Sequence, residues 1–364
     1  MSDGARARVT VLFLTAAALW AAAVASAESP HLSVPPGVRI EVFAAGLSAP
    51  RALAVDPAGA LLVSLPTEGR IVAARSGTTV VGQLDRPHGL AFRGGHLYVA
   101  ETGRVLRYRY DPATPAARDP VVVVSDLPAG AHHWTRSIAF DARGHLFVAI
   151  GSSCDVCREP DGRRAAIVRY DADGSRGAIF ATGLRNPVGL TFHPTTGQLW
   201  TTVNERDWRK GGAPPDFVTE VREGAAYGWP HCYAVGRQFL IDPELPGGDC
   251  RNLTLPSLEL PPHSAPLGHA FYTAAALPSR FRGSLFVALH GSRTERPEAG
   301  YKVVRVVFEG GVAVRVEDFI TGWRVGDRIW GRPVDVVTGA DGALYISDDH
   351  GGRIYRVSAR EARR

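Results

Sequence analysis

The segment His132-His133-Trp134-Thr135-Arg136-Ser137 gathers side chains that bind or move protons immediately ahead of an ordinary apolar strand, Ile138-Ala139-Phe140. An imidazole titrates close to neutral pH, so His132 or His133 is suited to take a proton from an alcohol with little adjustment. Such a base serves two kinds of reaction. In a hydrolase it activates a nucleophile or a water, yet the chain has no G-x-S-x-G elbow and no H-E-x-x-H metal pair. In a redox enzyme it removes a hydroxyl proton while hydride leaves the same carbon, which requires a bound electron acceptor. No G-x-G-x-x-G between strand and helix is there to hold a dinucleotide.

The strand behind this segment is one copy of a repeated unit: a turn with Pro or Arg, a strand, a Gly-containing hairpin turn, a second strand, then a polar stretch and a third strand. Copies begin at Pro50-Arg51-Ala52-Leu53, Pro87-His88-Gly89-Leu90, Arg136-Ser137-Ile138, Pro187-Val188-Gly189-Leu190, Ala265-Pro266-Leu267-Gly268 and Pro333-Val334-Asp335. Six β-rich units with almost no helical periodicity predict an all-β, six-bladed propeller of four-stranded antiparallel blades. A β-sandwich repeats neither motif nor spacing in this way. A propeller aims the innermost strand of each blade at a central channel, so the turn residues ahead of those strands converge. They are Arg51, His88, His133 with Arg136, Arg185 with Asn186, His263 with Ser264, and Arg332. Structural turns favour Gly, Pro, Asn and Asp, so a ring of Arg and His predicts a pocket for something anionic. The longest interval, about 204–264, carries Cys232 and Cys250 and is expected to supply loops over one face.

At 364 residues, 45% hydrophobic and 21% charged, the chain is able to bury a core. Residues 1–27 read as a cleaved export signal: Arg6 and Arg8, an apolar run from Val9 to Val24, then Ala25-Ser26-Ala27. An uncleaved anchor is the alternative, with a run short for a span. Residues 28–364 are then one catalytic propeller, periplasmic or secreted, with no stable membrane span. Four cysteines fit export and two disulfides. Arg158, not His, follows Cys157, which excludes covalent haem, and a redox role for Cys154-x-x-Cys157 lacks a thioredoxin-like βαβ context. The net charge of +5 is nearly all arginine, Lys210 and Lys302 being the lysines. It is too small for a nucleic-acid partner, and suits attraction of small anions into a cleft.

The run His132 to Ser137 ahead of a strand ending Ala149-Ile150-Gly151, then Gly183-Leu184-Arg185-Asn186-Pro187-Val188-Gly189-Leu190, Tyr227-Gly228-Trp229-Pro230 and Gly331-Arg332-Pro333-Val334-Asp335-Val336, resembles the glucose/sorbosone dehydrogenase family. The resemblance covers roughly Val34 to Val357 and is strongest to L-sorbosone dehydrogenase-like members. It implies an exported six-bladed propeller that uses pyrroloquinoline quinone, held with Ca2+, to oxidise a small sugar-like substrate, and a downstream acceptor such as a respiratory quinone or cytochrome. By the same resemblance His133 is the catalytic base. Arg185, Asn186 and Arg332 meet the quinone's oxygens and carboxylates, with His88, His132 and Arg136 near the cofactor. Glu205, Arg206 and Asp216 fall in the metal segment. Guanidinium groups pair with carboxylates bidentately, and a cation beside a quinone oxygen stabilises the anion that hydride addition creates.

The chain departs from the family pattern at His132, where a carboxylate would orient the base, and at Phe217, where the metal segment would carry an acid. Near Leu289-His290-Gly291-Ser292-Arg293, the expected cationic residue is either His290 or Arg293. Two other functions use the same fold. A Ca2+-dependent lactonase or esterase would converge acidic and Asn side chains on one axial metal, and a non-catalytic binding propeller would retain the pocket alone.

Overall fold

The computed structural model describes residues 32–130, 132–207, 212–292 and 299–360; the expected signal at 1–27 and Arg293 lie outside them. Six four-stranded antiparallel sheets form the blades of a propeller. Their innermost strands are Leu53–Val55, Leu90–Arg93, Arg136–Phe140, Pro187–Phe192, Pro266–Tyr272 and Pro333–Thr338, which are the six repeats read from the sequence. Blade six takes its outermost strand from the other end of the chain. Val38–Ala45 pairs with Arg353–Ala359, Val38 opposite Ala359, so the two ends of the chain close the ring together.

Second strands are continuous apolar runs because neighbouring blades cover both of their faces. Leu61–Leu65, Leu146–Ile150, Leu199–Val203 and Ser284–Leu289 are buried at every position. The core lies between blades: Phe147, Ala149 and Ile167 of blade three pack with Leu199, Val203 and Phe217 of blade four. Fourth strands face water, and Ala116–Val124 is mostly exposed.

Around the axis the innermost strands approach too closely for side chains at two positions. A Cβ on Gly189 would lie 2.2 Å from His269 Nδ1, and one on Gly268 would lie 1.9 Å from Asp335 Oδ1. Asp335 also accepts the amide of Leu53 (2.8 Å), linking blade six to blade one. Val188, Leu267 and Val334 form an apolar contact of three blades, and a cavity of about 320 Å³ lined by His88, His269 and Asp335 occupies the channel.

The interval 204–264 is more than covering loops. It contributes the third and fourth strands of blade four, Asp216–Val221 and Leu258–Leu260, with a hairpin Cys232–Val235 and Gln238–Ile241 between them. The sequence reading missed these strands because the hairpin interrupts the repeat. Both expected disulfides are present, Cys154–Cys157 and Cys232–Cys250. No helix among the described residues is long and apolar enough to cross a membrane.

Candidate active site

His133 ends the turn that enters blade three, at a φ of 42°. The first two strands of that blade pair Arg136 with Ile150, so the register carried outward places residue 133 beside the 152–153 peptide. Gly151 makes this approach possible. A Cβ there would sit 2.5 Å from the Cβ of His133 and 2.4 Å from Asn186 Oδ1. The imidazole Nδ1 lies 2.9 Å from the Ser152 carbonyl and 3.0 Å from Ser152 Oγ, while that hydroxyl donates to the Cys154 carbonyl at 2.6 Å. A carbonyl only accepts, so the network assigns the proton to Nδ1 and leaves the Nε2 lone pair free. Burial, then the charge of Arg185 and the neighbouring His132, lower the pKa to about 2, so the ring is neutral at any working pH.

The hydrogen-bond partner that orients His133 is therefore Ser152, not His132. His132 is exposed and meets His133 edge-on, centroids 4.5 Å apart. Arg136 also has a different place from the one expected. Its fully buried guanidinium donates to the carbonyls of His133 (2.8 Å), Thr135 (2.7 Å) and Pro128, which holds the turn beneath the base and keeps the cation out of the pocket. Arg185 is 3% exposed and donates to Asp155 Oδ1 (2.7 Å), the Asp155 carbonyl (3.1 Å) and the carbonyls of Asn204 (3.2 Å) and Glu205 (2.8 Å). Its charge reaches the pocket through space. Beside it Asn186 keeps a buried Oδ1 with no hydrogen-bond partner among the described residues.

Across the channel mouth a second set gathers from blades one, five and six. Asp349 accepts from Arg51 (2.7 Å) and from Nε2 of His290 (2.9 Å), and Arg332 donates to the carbonyls of His290 (3.1 Å) and Gly291. Trp134 faces this set: Arg86 and Arg51 lie 4.5 and 5.7 Å from its ring centre, and His88 meets it edge-on. Among the described residues no carboxylate pairs with the exposed Arg86, and Arg51 Nε is buried without an acceptor. His88 is buried, its Nδ1 unpartnered, with its pKa lowered to about 3 by burial and then by Arg51. More guanidinium groups than carboxylates at a pocket mouth fit a multiply charged carboxylate ligand.

The metal segment divides. The Arg206 guanidinium pairs with Asp242 at 2.7 Å over the ring of Tyr233, a buried structural contact. Asp216 accepts the amides of Glu205 (2.9 Å) and Ala265 (2.9 Å) and the Ser264 hydroxyl (3.2 Å). Among the described residues the buried Glu205 carboxylate receives the Arg206 amide, at 3.3 Å, and burial raises its pKa to about 7. A buried carboxylate is a hard oxygen donor suited to a cation such as Ca2+. Phe217 does not bear on that site. Strand alternation turns it away from Asp216 into the core, stacked on Tyr227.

Ser152, Asp155, Trp134, Arg86 and Asp349 were not picked out from the sequence, although Trp134 lies inside the opening segment. The signal for Ser152 was the hairpin register, which follows once Arg136 is set opposite Ile150.

The sequence profile of the TrAA12-like family matches residues 32–213 and 212–360. The pyrroloquinoline quinone-dependent pyranose dehydrogenase of Coprinopsis cinerea is 26% identical over 408 residues, covering 90% of this chain and 54% of that protein, so the chain spans about half the length of that relative. The holo form of the PQQ domain of the Coprinopsis cinerea enzyme superposes with a TM-score of 0.76 at 24% identity, covering 90% of this chain and 97% of the domain. A calcium structure of the Trichoderma reesei family AA12 enzyme gives 0.80 at 23% identity, with coverages of 91% and 98%. At these identities the superpositions speak for the fold, while the profile match spans nearly all of the propeller. The chain belongs to the TrAA12-like family.

Proposed function

We propose that this chain is a pyrroloquinoline quinone-dependent dehydrogenase that oxidises a sugar, sugar aldehyde or related polyol, with Ca2+ beside the cofactor. The observation that carries the reading is His133: a half-buried neutral imidazole, locked with its proton on Nδ1, in a pocket whose mouth gathers the guanidinium groups of Arg51, Arg86 and Arg332. The relatives named as quinone-dependent sugar dehydrogenases support it.

His133 Nε2 accepts the proton of a substrate hydroxyl or hydrated aldehyde. The Ser152 carbonyl on Nδ1 and the negative charge of Asp155 favour the imidazolium that forms, while Arg185 opposes it and so favours passing the proton on. Arg51, Arg86 and Arg332 would hold the cofactor's carboxylates, Asn186 and His88 would line its edges, and Glu205 would face the cation. Bound pyrroloquinoline quinone supplies a two-electron acceptor for the hydride. A separate respiratory quinone or cytochrome then restores it. Two disulfides suit the exported location read from residues 1–27. A lactonase would want several carboxylates converging on the axis, where Asp335 is the one acid among the described residues lining the channel cavity and is engaged by the Leu53 amide.

The test is to titrate purified apo-protein with pyrroloquinoline quinone and Ca2+, then follow dye reduction with a panel of aldoses and sorbosone. Saturable binding at micromolar concentration with substrate-dependent dye reduction is expected. No binding at that concentration sinks the reading, and binding without reduction of dye by any of the panel favours a binding propeller.

A further inference from the structure

The four-residue loop Cys154–Cys157 makes hydrogen bonds to both sides of the pocket, and its cysteines play no part in the proton transfer. On one side the Cys154 carbonyl accepts the Ser152 hydroxyl at 2.6 Å, which turns the Ser152 oxygen lone pairs toward His133 Nδ1. On the other, Asp155 receives Arg185 twice, through Oδ1 at 2.7 Å and through its carbonyl at 3.1 Å. The same Asp155 accepts the amide of Asp207 (2.9 Å) and the indole of Trp229 (2.9 Å), so it joins the loops that leave blade four to the base on blade three. Asp155 is buried, whereas both cysteines of the loop are partly open to solvent.

We propose that the Cys154–Cys157 loop is a clamp that sets the proton-bearing nitrogen of His133 and the position of Arg185 together, with Asp155 and Ser152 as positioning residues. A closed four-residue ring restricts where its carbonyls point, and those of Cys154 and Asp155 are both used. If the ring opens, Cys154 ceases to direct the Ser152 hydroxyl, which is then free to donate to Nδ1 of His133. The imidazole proton then moves to Nε2, and the ring loses the lone pair that faces the substrate. Arg185 loses its fixed acceptor at the same moment. The role in turnover rests on the reading of His133 as base; the effect on the ring does not.

The test uses the whole folded protein. Dithiothreitol reduces the solvent-accessible Cys154–Cys157 bridge, giving two thiols and oxidised dithiothreitol, and alkylation traps the open loop. Cys232 is buried and marks whether reduction was selective. Nitrogen-15 spectra of the His133 ring in apo-protein are expected to show a single Nδ1–H tautomer in the native state and a mixture after opening. In cofactor-loaded enzyme kcat is expected to fall about 10- to 100-fold with KM nearly unchanged, the scale of a small misalignment of a reacting group. Asp155→Asn, made in oxidised protein, is the second variant should the opened loop fail to hold a native circular-dichroism spectrum. It is expected to mix the tautomers too, and Cys232→Ser with Cys250→Ser is expected to leave them single. An unchanged ring spectrum in both the opened protein and Asp155→Asn overturns the clamp, whatever happens to kcat. Mixed tautomers without any turnover in the starting enzyme would leave the clamp standing and remove the dehydrogenase reading.

Discussion

His133 precedes the innermost strand of blade three and His290 follows the second strand of blade five, and the two are held in opposite ways. His133 gives its Nδ1 proton to uncharged oxygens of Ser152, so Nε2 is its free nitrogen. His290 gives its Nε2 proton to the carboxylate of Asp349, which leaves Nδ1 as acceptor. Burial lowers both, to about 2 for His133 and about 4 for His290, where the carboxylate opposes the shift. The difference follows from what each blade supplies. Blade three offers backbone oxygen from a cross-linked loop, whereas blade six offers an acid already paired with Arg51. Each ring keeps one lone pair, but the His290 ring is tied into the Arg51–Asp349 ion pair while the His133 ring bonds uncharged oxygens.

Substituting each histidine in turn tests that contrast most directly. His133→Asn is expected to lower kcat by about 10²- to 10⁴-fold, the range for losing a general base. His290→Asn should instead weaken cofactor affinity and leave kcat of the saturated enzyme within about tenfold. Equal losses of kcat in stopped-flow dye reduction would erase the distinction.

Asp349→Asn probes the scaffold side. It leaves Arg51 and His290 facing an uncharged amide in a mostly buried site, a lesion of about 3–5 kcal/mol in unfolding free energy by urea titration. Burial alone would raise the Asp349 carboxyl, but His290 and Arg51 hold it well below the usual carboxylate range. The unfolded chain therefore binds this proton first, and the stability due to Asp349 is full above the ordinary carboxylate range and lost as pH falls below it. Unfolding measured at pH 5 and pH 3 should lose less stability in Asp349→Asn than in the parent.

The histidines add a gentler slope at higher pH. His269, buried on the channel, has its pKa lowered to about 4 by burial, against the opposing effect of the Leu267 and Trp200 backbone. Between pH 6.5 and 4 the unfolded chain takes up a proton that the folded one refuses, so stability falls with pH over that window. His269→Leu should flatten this part of the curve, and an unchanged slope would assign it to other groups. The same lowering at His133 keeps the base neutral, so kcat/KM should hold as pH falls through 6.5, the ordinary imidazole pKa, until the fold gives way.

The smallest effect belongs to the rim. Arg86 is exposed and rests on Trp134, so Arg86→Gln should weaken binding of the anionic cofactor only a few-fold and reduce its salt dependence. Affinity at two ionic strengths measures this, and a loss as large as that of Arg332→Gln would place Arg86 inside the pocket.

The repeats made the six blades readable because each blade buries its second strand on both faces and so writes an apolar run into the sequence. His133, Asn186 and Arg332 could be found for a related reason: they precede strands whose position in the ring follows from the repeat alone. Arg136 and Arg185 precede strands in the same way, yet their charges are engaged by carbonyls and by Asp155. Sequence position brought these cations to the channel mouth without saying which way each would point.

Fold class, blade count and both disulfide pairs were determined by the order of residues, since local pattern and spacing suffice for them. Closure of blade six by Val38–Ala45, the strands within 204–264 and the choice of Ser152 over His132 as partner of His133 were decided only in three dimensions. The reason is the same in each case. Hydrogen-bond partners are chosen by direction and distance across strands, and a one-residue neighbour in sequence points elsewhere while a residue nineteen positions on lies within bonding reach.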